Sequence, residues 1–421
     1  MELFNFSLYA LLLIYLWKKK KSWVCIVIVG MWAFSAFCGI FYTSSTVYRN
    51  GRYETSIGPF IYLFCALCVS LMPFMHQTVE IQRIQYNNRR WLNLFCIGIG
   101  ILAIEPFVET LYYLIDFIIT GRFLMLGAYY DDVATGQMDA LIQRSSIGAK
   151  LATAMLMLKT VTPLLFFYYL QYKNRNRYIL IGLFIAAIVP ALANASAGSK
   201  TEIIFFLTYM IGLYLMLGKT LEVSARKLIK KLIISAGCIV IAMVIGLSIG
   251  RYIIGGHGDE ENSAGAYLFQ YTAESMYNFN ENAYHEIRPL HGSMTCLPPM
   301  KVLGLTHIEI SDRRDYNSMH MMGPAHLFYS YFGDFYLDFG AIGAFIIFII
   351  TSFLFCRIRI KQNMPLTSLS LLSLYLYAMM NSLFYFCFKA NWMSIYGSLL
   401  FFVIAKIAEY LHNKPSKVII K

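Results

Sequence analysis

The sequence predicts an all-α, polytopic membrane protein of about eleven spans, its N-terminus outside and its C-terminus inside, with one large external loop. Three observations carry this. Hydrophobic residues make up 58% of 421, charged residues only 14%, and the mean hydropathy is +0.57. A soluble domain is nearer a quarter charged, so this chain lacks the polar surface that water requires. The apolar residues fall in runs of spanning length, and the segments between them alternate in charge.

A helix crossing a hydrocarbon core of roughly 30 Å needs about 20 apolar residues. The runs are 3–17, 23–43, 58–76, 93–115, 151–171, 178–195, 201–217, 232–250, 336–356, 366–387 and 393–411. None shows the alternating pattern of a membrane barrel, so helices must satisfy the backbone. The first run is followed by Lys18 to Lys21 rather than preceded by basic residues, and reads as a retained span, not a cleaved signal.

Charge sets the orientation. With the N-terminus outside, the inner segments carry Lys18 to Lys21, then Arg83, Arg89 and Arg90, then Lys173, Arg175 and Arg177. Further along come Lys219, Arg226, Lys227, Lys230 and Lys231, then Arg357, Arg359 and Lys361, and finally Lys406, Lys414, Lys417 and Lys421. Only Glu80, Glu222 and Glu409 oppose them. Every inner segment is basic, as the positive-inside rule requires. The net charge of +12 is thus a topology signal, and nucleic acid is not an expected partner.

The whole chain, 1–421, reads as one integral membrane domain with two sizeable outer loops, 116–150 and 251–335. The inner loops are short and hold no Walker or dinucleotide glycine motif, which argues against an ATP-driven pump. Cys65 and Cys68 have C-x-x-C spacing, but they lie in an apolar helix without a second pair, so packing is expected there. His285 and His291 are six apart, which is no metal-binding spacing; neither a metal nor a cofactor is expected.

Loop 251–335 is too long to be structureless inside a compact protein, and an ordered, functional segment is expected. Arg251 ends an apolar span on the outer side, where a guanidinium can grip phosphate oxygens in pairs. Snorkelling to the interface, or pairing with an acid such as Asp334, is its plainer role. Lys200 closes a small-residue turn, Ser196 to Thr201, at the start of the next helix, a natural anion site or an ordinary cap. Glu105, Glu109 and Lys159 fall inside spans, and a Glu–Lys bridge between neighbouring helices is expected.

Four segments carry a family resemblance: ASAGSKTEIIFFLTYMIGLYLML at 195–217, GLSIGRYIIGG at 246–256, YLFQYTAESMYNFNENA at 267–283 and HLFYSYFGDFYLDFGAIGAFIIFII at 326–350. In the last, an acidic and aromatic lead enters a span through Asp338, Phe339, Gly340 and Gly343. Across residues 195–350 the chain resembles the Wzy-type O-antigen or oligosaccharide repeat-unit polymerases, bacterial inner-membrane glycosyltransferases whose outline the O-antigen ligases share. That resemblance implies a GT-C-like membrane fold without a metal. It also implies undecaprenyl-pyrophosphate-linked oligosaccharides as donor and acceptor, membrane lipid, and a chain-length regulator and flippase of the same pathway as partners. Under it, Arg251 and Arg288 neutralise the departing pyrophosphate, assisted by Lys200. His291 deprotonates or orients the acceptor hydroxyl, with Glu286 as the competing base. Arg313, Arg314 and Arg122 are further substrate contacts. The family often has Arg where this chain has Lys200. An O-antigen ligase, a lipid-linked glycan transporter and a structural scaffold are the rival readings.

Overall fold

The computed structural model describes residues 1–43, 53–76, 81–86, 89–121, 145–196, 201–254, 264–309, 312–322, 329–358, 360–382 and 388–412. In chain order these form α1 (Glu2–Lys18), α2 (Trp23–Thr43), α3 (Ile57–His76), β1 (Arg83–Gln85), α4 (Arg89–Ile119), α5 (Ser146–Met157), α6 (Val161–Leu170), α7 (Arg177–Ala195) and α8 (Thr201–Leu217). There follow α9 (Val223–Ile254), α10 (Ala264–Glu281), α11 (Leu297–Val302), α12 (Arg313–His320), α13 (Ser330–Cys356), β2 (Asn363–Pro365), α14 (Leu369–Ser382) and α15 (Phe388–His412).

The protein is an all-α multi-pass membrane protein. Among the described residues seven helices are long and apolar enough to cross a bilayer, or eight if α5 and α6 form one broken span. A helix stands at each of the eleven expected positions, but α1 and α14 are short, with 17 and 14 residues. The stretch 251–335 is also more helical than expected: α9 runs on to Ile254, and α10, α11 and α12 occupy much of the rest of it among the described residues.

Where the sequence suggests one domain, the described residues divide into two compact units. Unit 1 comprises Met1–Val79, Asp259–Arg359 and Tyr377–Trp392; unit 2 comprises Glu80–Gly258, Ile360–Leu376 and Met393–Lys421. In unit 1, α2 packs on α1 and α10, and α3 packs on α13. In unit 2, α4 lies along α7, with α8 against α7. Gly100 and Gly182 let the α4 and α7 backbones touch, since a Cβ on either would stand 3.3 Å from the other's Cα. A short parallel ladder, β1 on β2, joins segments far apart in the chain, and Gln171 caps Ile84 from the side.

The break between α5 and α6 has a local cause. Pro163 has no N–H, and its ring crowds the carbonyl four residues earlier, at Lys159. The chain bends by 69° there. Backbone groups freed inside a membrane need new partners. Tyr375 Oη donates to the Thr160 carbonyl at 3.1 Å, and the Thr160 and Ser398 hydroxyls bond to each other. Gly397 lets α15 approach the broken end so closely that a Cβ would stand 2.2 Å from the Met157 carbonyl oxygen. Gly397→Ala is therefore expected to lower stability by about 1–3 kcal/mol, read as a drop in the unfolding temperature in detergent.

The charges expected to bridge in this region do not pair as the sequence suggests. Lys159, buried at the break, binds Glu202 in the first turn of α8, Nζ to Oε1 2.6 Å, beneath the Phe205 ring. Glu105 and Glu109 turn instead to the start of α5. Ser145 Oγ donates to Glu105 Oε1 at 2.9 Å and Ser145 N–H to Glu109 Oε1 at 3.2 Å. The start of a helix carries unpaired N–H groups and partial positive charge, so it attracts both carboxylates without a lysine, although Glu109 Oε2 stays buried without a hydrogen bond.

Candidate functional site

The polar heart of unit 1 forms where α13 begins. Asp334 and Asp338 lie four residues apart, so both carboxylates share one face of α13, and both are buried. Two residues beyond Asp338, Gly340 takes φ 70° and ψ 175° and interrupts the helix. That interruption leaves carbonyls on the preceding turn without helical donors. The strap after α10 supplies them: Leu290 N–H donates to the Leu337 carbonyl at 2.8 Å and His291 N–H to the Asp338 carbonyl at 3.2 Å.

The strap then turns through His291 (φ 51°) and Gly292 (φ 95°), both left-handed. Glycine suits the second position for space as well, since a Cβ there would lie 2.9 Å from Met300 Sδ. The turn aims three donors at one carboxylate. Met294 N–H reaches Asp338 Oδ1 at 3.0 Å, while Thr295 N–H and Thr295 Oγ1 reach Oδ2 at 2.7 and 2.6 Å. Ser293 Oγ donates to Asn317 Oδ1 at 2.6 Å, which brings α12 onto the same strap.

Arg313 opens α12 half-buried, facing Asp334 and Asp338. Burial pushes its guanidinium pKa down and the two carboxylates push it back up. Beside this ionic group the end of α10 contributes the buried polar run Asn278, Asn280, Glu281 and Asn282. Asn280 holds the chain before α3 through both the N–H and the carbonyl of Ser56, at 2.9 and 2.7 Å. Rings close the group: Tyr62, Phe279, Tyr284 and Tyr336 pack together, and exposed Tyr53 stacks on His285 at 4.2 Å.

Of the residues singled out from sequence, Arg288 and His291 are exposed on the strap. Glu286 accepts a hydrogen bond from Met322 N–H at 2.7 Å, which ties the strap to the end of α12. Arg251 falls in the last turns of α9, in unit 2. Its side chain and that of Arg314 lie outside the described residues, as do Lys200 and Arg122 entirely.

Asp338, Thr295, Asn317 and the 278–282 run were not singled out as site residues. A signal was present: two aspartates at helical spacing leading into an apolar run, followed at once by a glycine, are costly unless paired. The class so defined is a multi-pass helical membrane protein with a buried acidic and amide-rich site at the head of one span. No protein-family model, no curated protein and no solved structure matches the chain.

Proposed function

We propose that this protein is a glycosyltransferase of the bacterial inner membrane. It polymerises undecaprenyl-pyrophosphate-linked oligosaccharide repeat units on the external face into a surface polysaccharide such as O-antigen or capsule. One observation carries the reading. Buried carboxylates, amides and hydroxyls gather beside half-buried tyrosines at the head of α13, with the exposed cation Arg288 on the adjoining strap. Amides and carboxylates bind hydroxyls, aromatic faces stack on sugar rings, and a guanidinium binds phosphate.

In this account the acceptor hydroxyl attacks the anomeric carbon of the donor. The carbon–oxygen bond to pyrophosphate breaks, and the hydroxyl proton passes to a base. Arg288 neutralises the departing pyrophosphate, and Arg314 binds the carrier. Arg313, facing two aspartates, positions α12 rather than the leaving group. Between the two candidate bases the surroundings favour His291, because Glu286 already accepts the Met322 N–H.

A flippase for the same lipid-linked glycan is the second reading, favoured by the broken span with its buried Lys159–Glu202 pair. Gene deletion with complementation separates the possibilities. Loss of a polymerase leaves single repeats on the final acceptor. Loss of a ligase accumulates lipid-linked polymer, and loss of a flippase traps single lipid-linked repeats inside.

A further inference from the structure

The strap does not end at the Asp338 clasp; it leads into a fixed apolar projection. α11 opens with Pro298 and Pro299 in its first turn, where a missing N–H costs nothing. It closes in a Schellman turn: Leu305 N–H donates to the Met300 carbonyl at 2.8 Å and Gly304 N–H to the Lys301 carbonyl at 3.1 Å, with Gly304 at φ 67°. Lys301 pairs with Glu309 across the turn. The geometry is thus built in from both ends, yet the side chains it presents are Val302, Leu303 and Leu305, exposed by 87%, 70% and 67%. A water-facing turn carries polar residues at such positions, so three large aliphatic side chains in one tip call for a cover.

Its place in the fold names the cover. Thr295 is bound to Asp338, and four residues further along α13 stands Ile342, 77% exposed, the first of the outward-facing apolar residues that continue through Ile346, Ile350 and Phe353. α11 begins two residues after Thr295, and six helical residues rise about 9 Å. The tip therefore lies within roughly 16 Å of Thr295, which is held at the head of a lipid-facing helix. The polar layer of a bilayer is about 5–8 Å deep on each side, so the tip is within reach of it. Three side chains are also far too small a surface to hold a protein partner, which needs on the order of 1,200 Å².

We infer that Val302, Leu303 and Leu305 insert into the lipid interface at the head of α13, anchoring the strap that carries Arg288 and His291 at headgroup depth. The bilayer, not a second copy of the chain or another protein, covers the tip. This holds whichever reaction the site performs.

A nitroxide at Leu303→Cys, in a chain freed of its nine cysteines and reconstituted in phosphatidylcholine–phosphatidylglycerol vesicles, tests it. Collisions with oxygen should exceed those with a water-soluble nickel chelate several-fold, as for Ile350→Cys and opposite to the exposed Asp315→Cys. Nickel access equal to that of the Asp315 label, or access to neither reagent, overturns the proposal. Should the cysteine-free chain not fold, Val302→Trp in the native background gives the same answer. Brominated lipid should quench the added fluorescence, and unquenched added fluorescence overturns it.

Discussion

Replacing Asp338 with alanine is expected to unfold the strap and to abolish whatever the site does. The carboxylate receives three donors, from Met294 N–H, Thr295 N–H and Thr295 Oγ1, and all are buried. Each orphaned buried donor costs about 1–3 kcal/mol, so the loss is on the order of 3–9 kcal/mol, comparable to the whole stability of many domains. Asp338→Asn keeps one acceptor and turns an NH₂ toward the remaining donors, so it should cost less. Thr295→Val removes one charge-assisted bond, about 1.5–3 kcal/mol, and should cost least. Unfolding temperatures in detergent should follow that order, and amide exchange at 290–296 should rise in the same order. An Asp338→Ala protein as stable as wild type, with residues 290–296 still protected, contradicts the clasp.

Lys159→Met should be the most damaging change in unit 2. It strands the Glu202 carboxylate, 12% exposed, beside Phe205 and the broken ends of α5 and α6. Breaking a buried ion pair from one side costs about 3–5 kcal/mol, whereas replacing both partners by apolar groups is often neutral. Lys159→Met combined with Glu202→Met should therefore recover most of the lost stability. A double mutant no more stable than Lys159→Met would mean that the pair does not act as a unit. The same double variant bears on the two functional readings, since a flippase that moves its cargo past this pair should lose transport even when fully folded.

The helical outline was legible because hydropathy is local. Each of the eleven apolar runs is helical, though 151–171 is broken into two helices, and α3 or α7 is readable to within a residue or two. The break at Lys159 was also written in the sequence, since Pro163 four residues later forbids a regular turn there, but a long apolar run concealed it. Side-chain partners were not legible. Lys159 had two acidic candidates in a neighbouring run, and only the fold reveals that both turn to the start of α5 while Glu202 lies at the lysine. The clasp was hidden for a related reason. Its donors stand 43 and 44 residues before Asp338, two of the three are backbone N–H groups without sequence identity, and they matter because Gly340 opens the helix. The residues picked for their charge, Arg288 and His291, do lie on the strap that this clasp fixes.

The most direct test of the functional account is elongation by the purified protein in liposomes, supplied with a labelled undecaprenyl-pyrophosphate-linked repeat unit. Wild type should convert it into a ladder of longer lipid-linked chains. Arg288→Ala, exposed and outside the clasp, should fold normally yet elongate about 100- to 1,000-fold more slowly, the usual cost of losing one charge-stabilising contact. A folded wild-type protein that moves the labelled carrier across the bilayer without lengthening it, or an Arg288→Ala ladder as fast as wild type, contradicts the account.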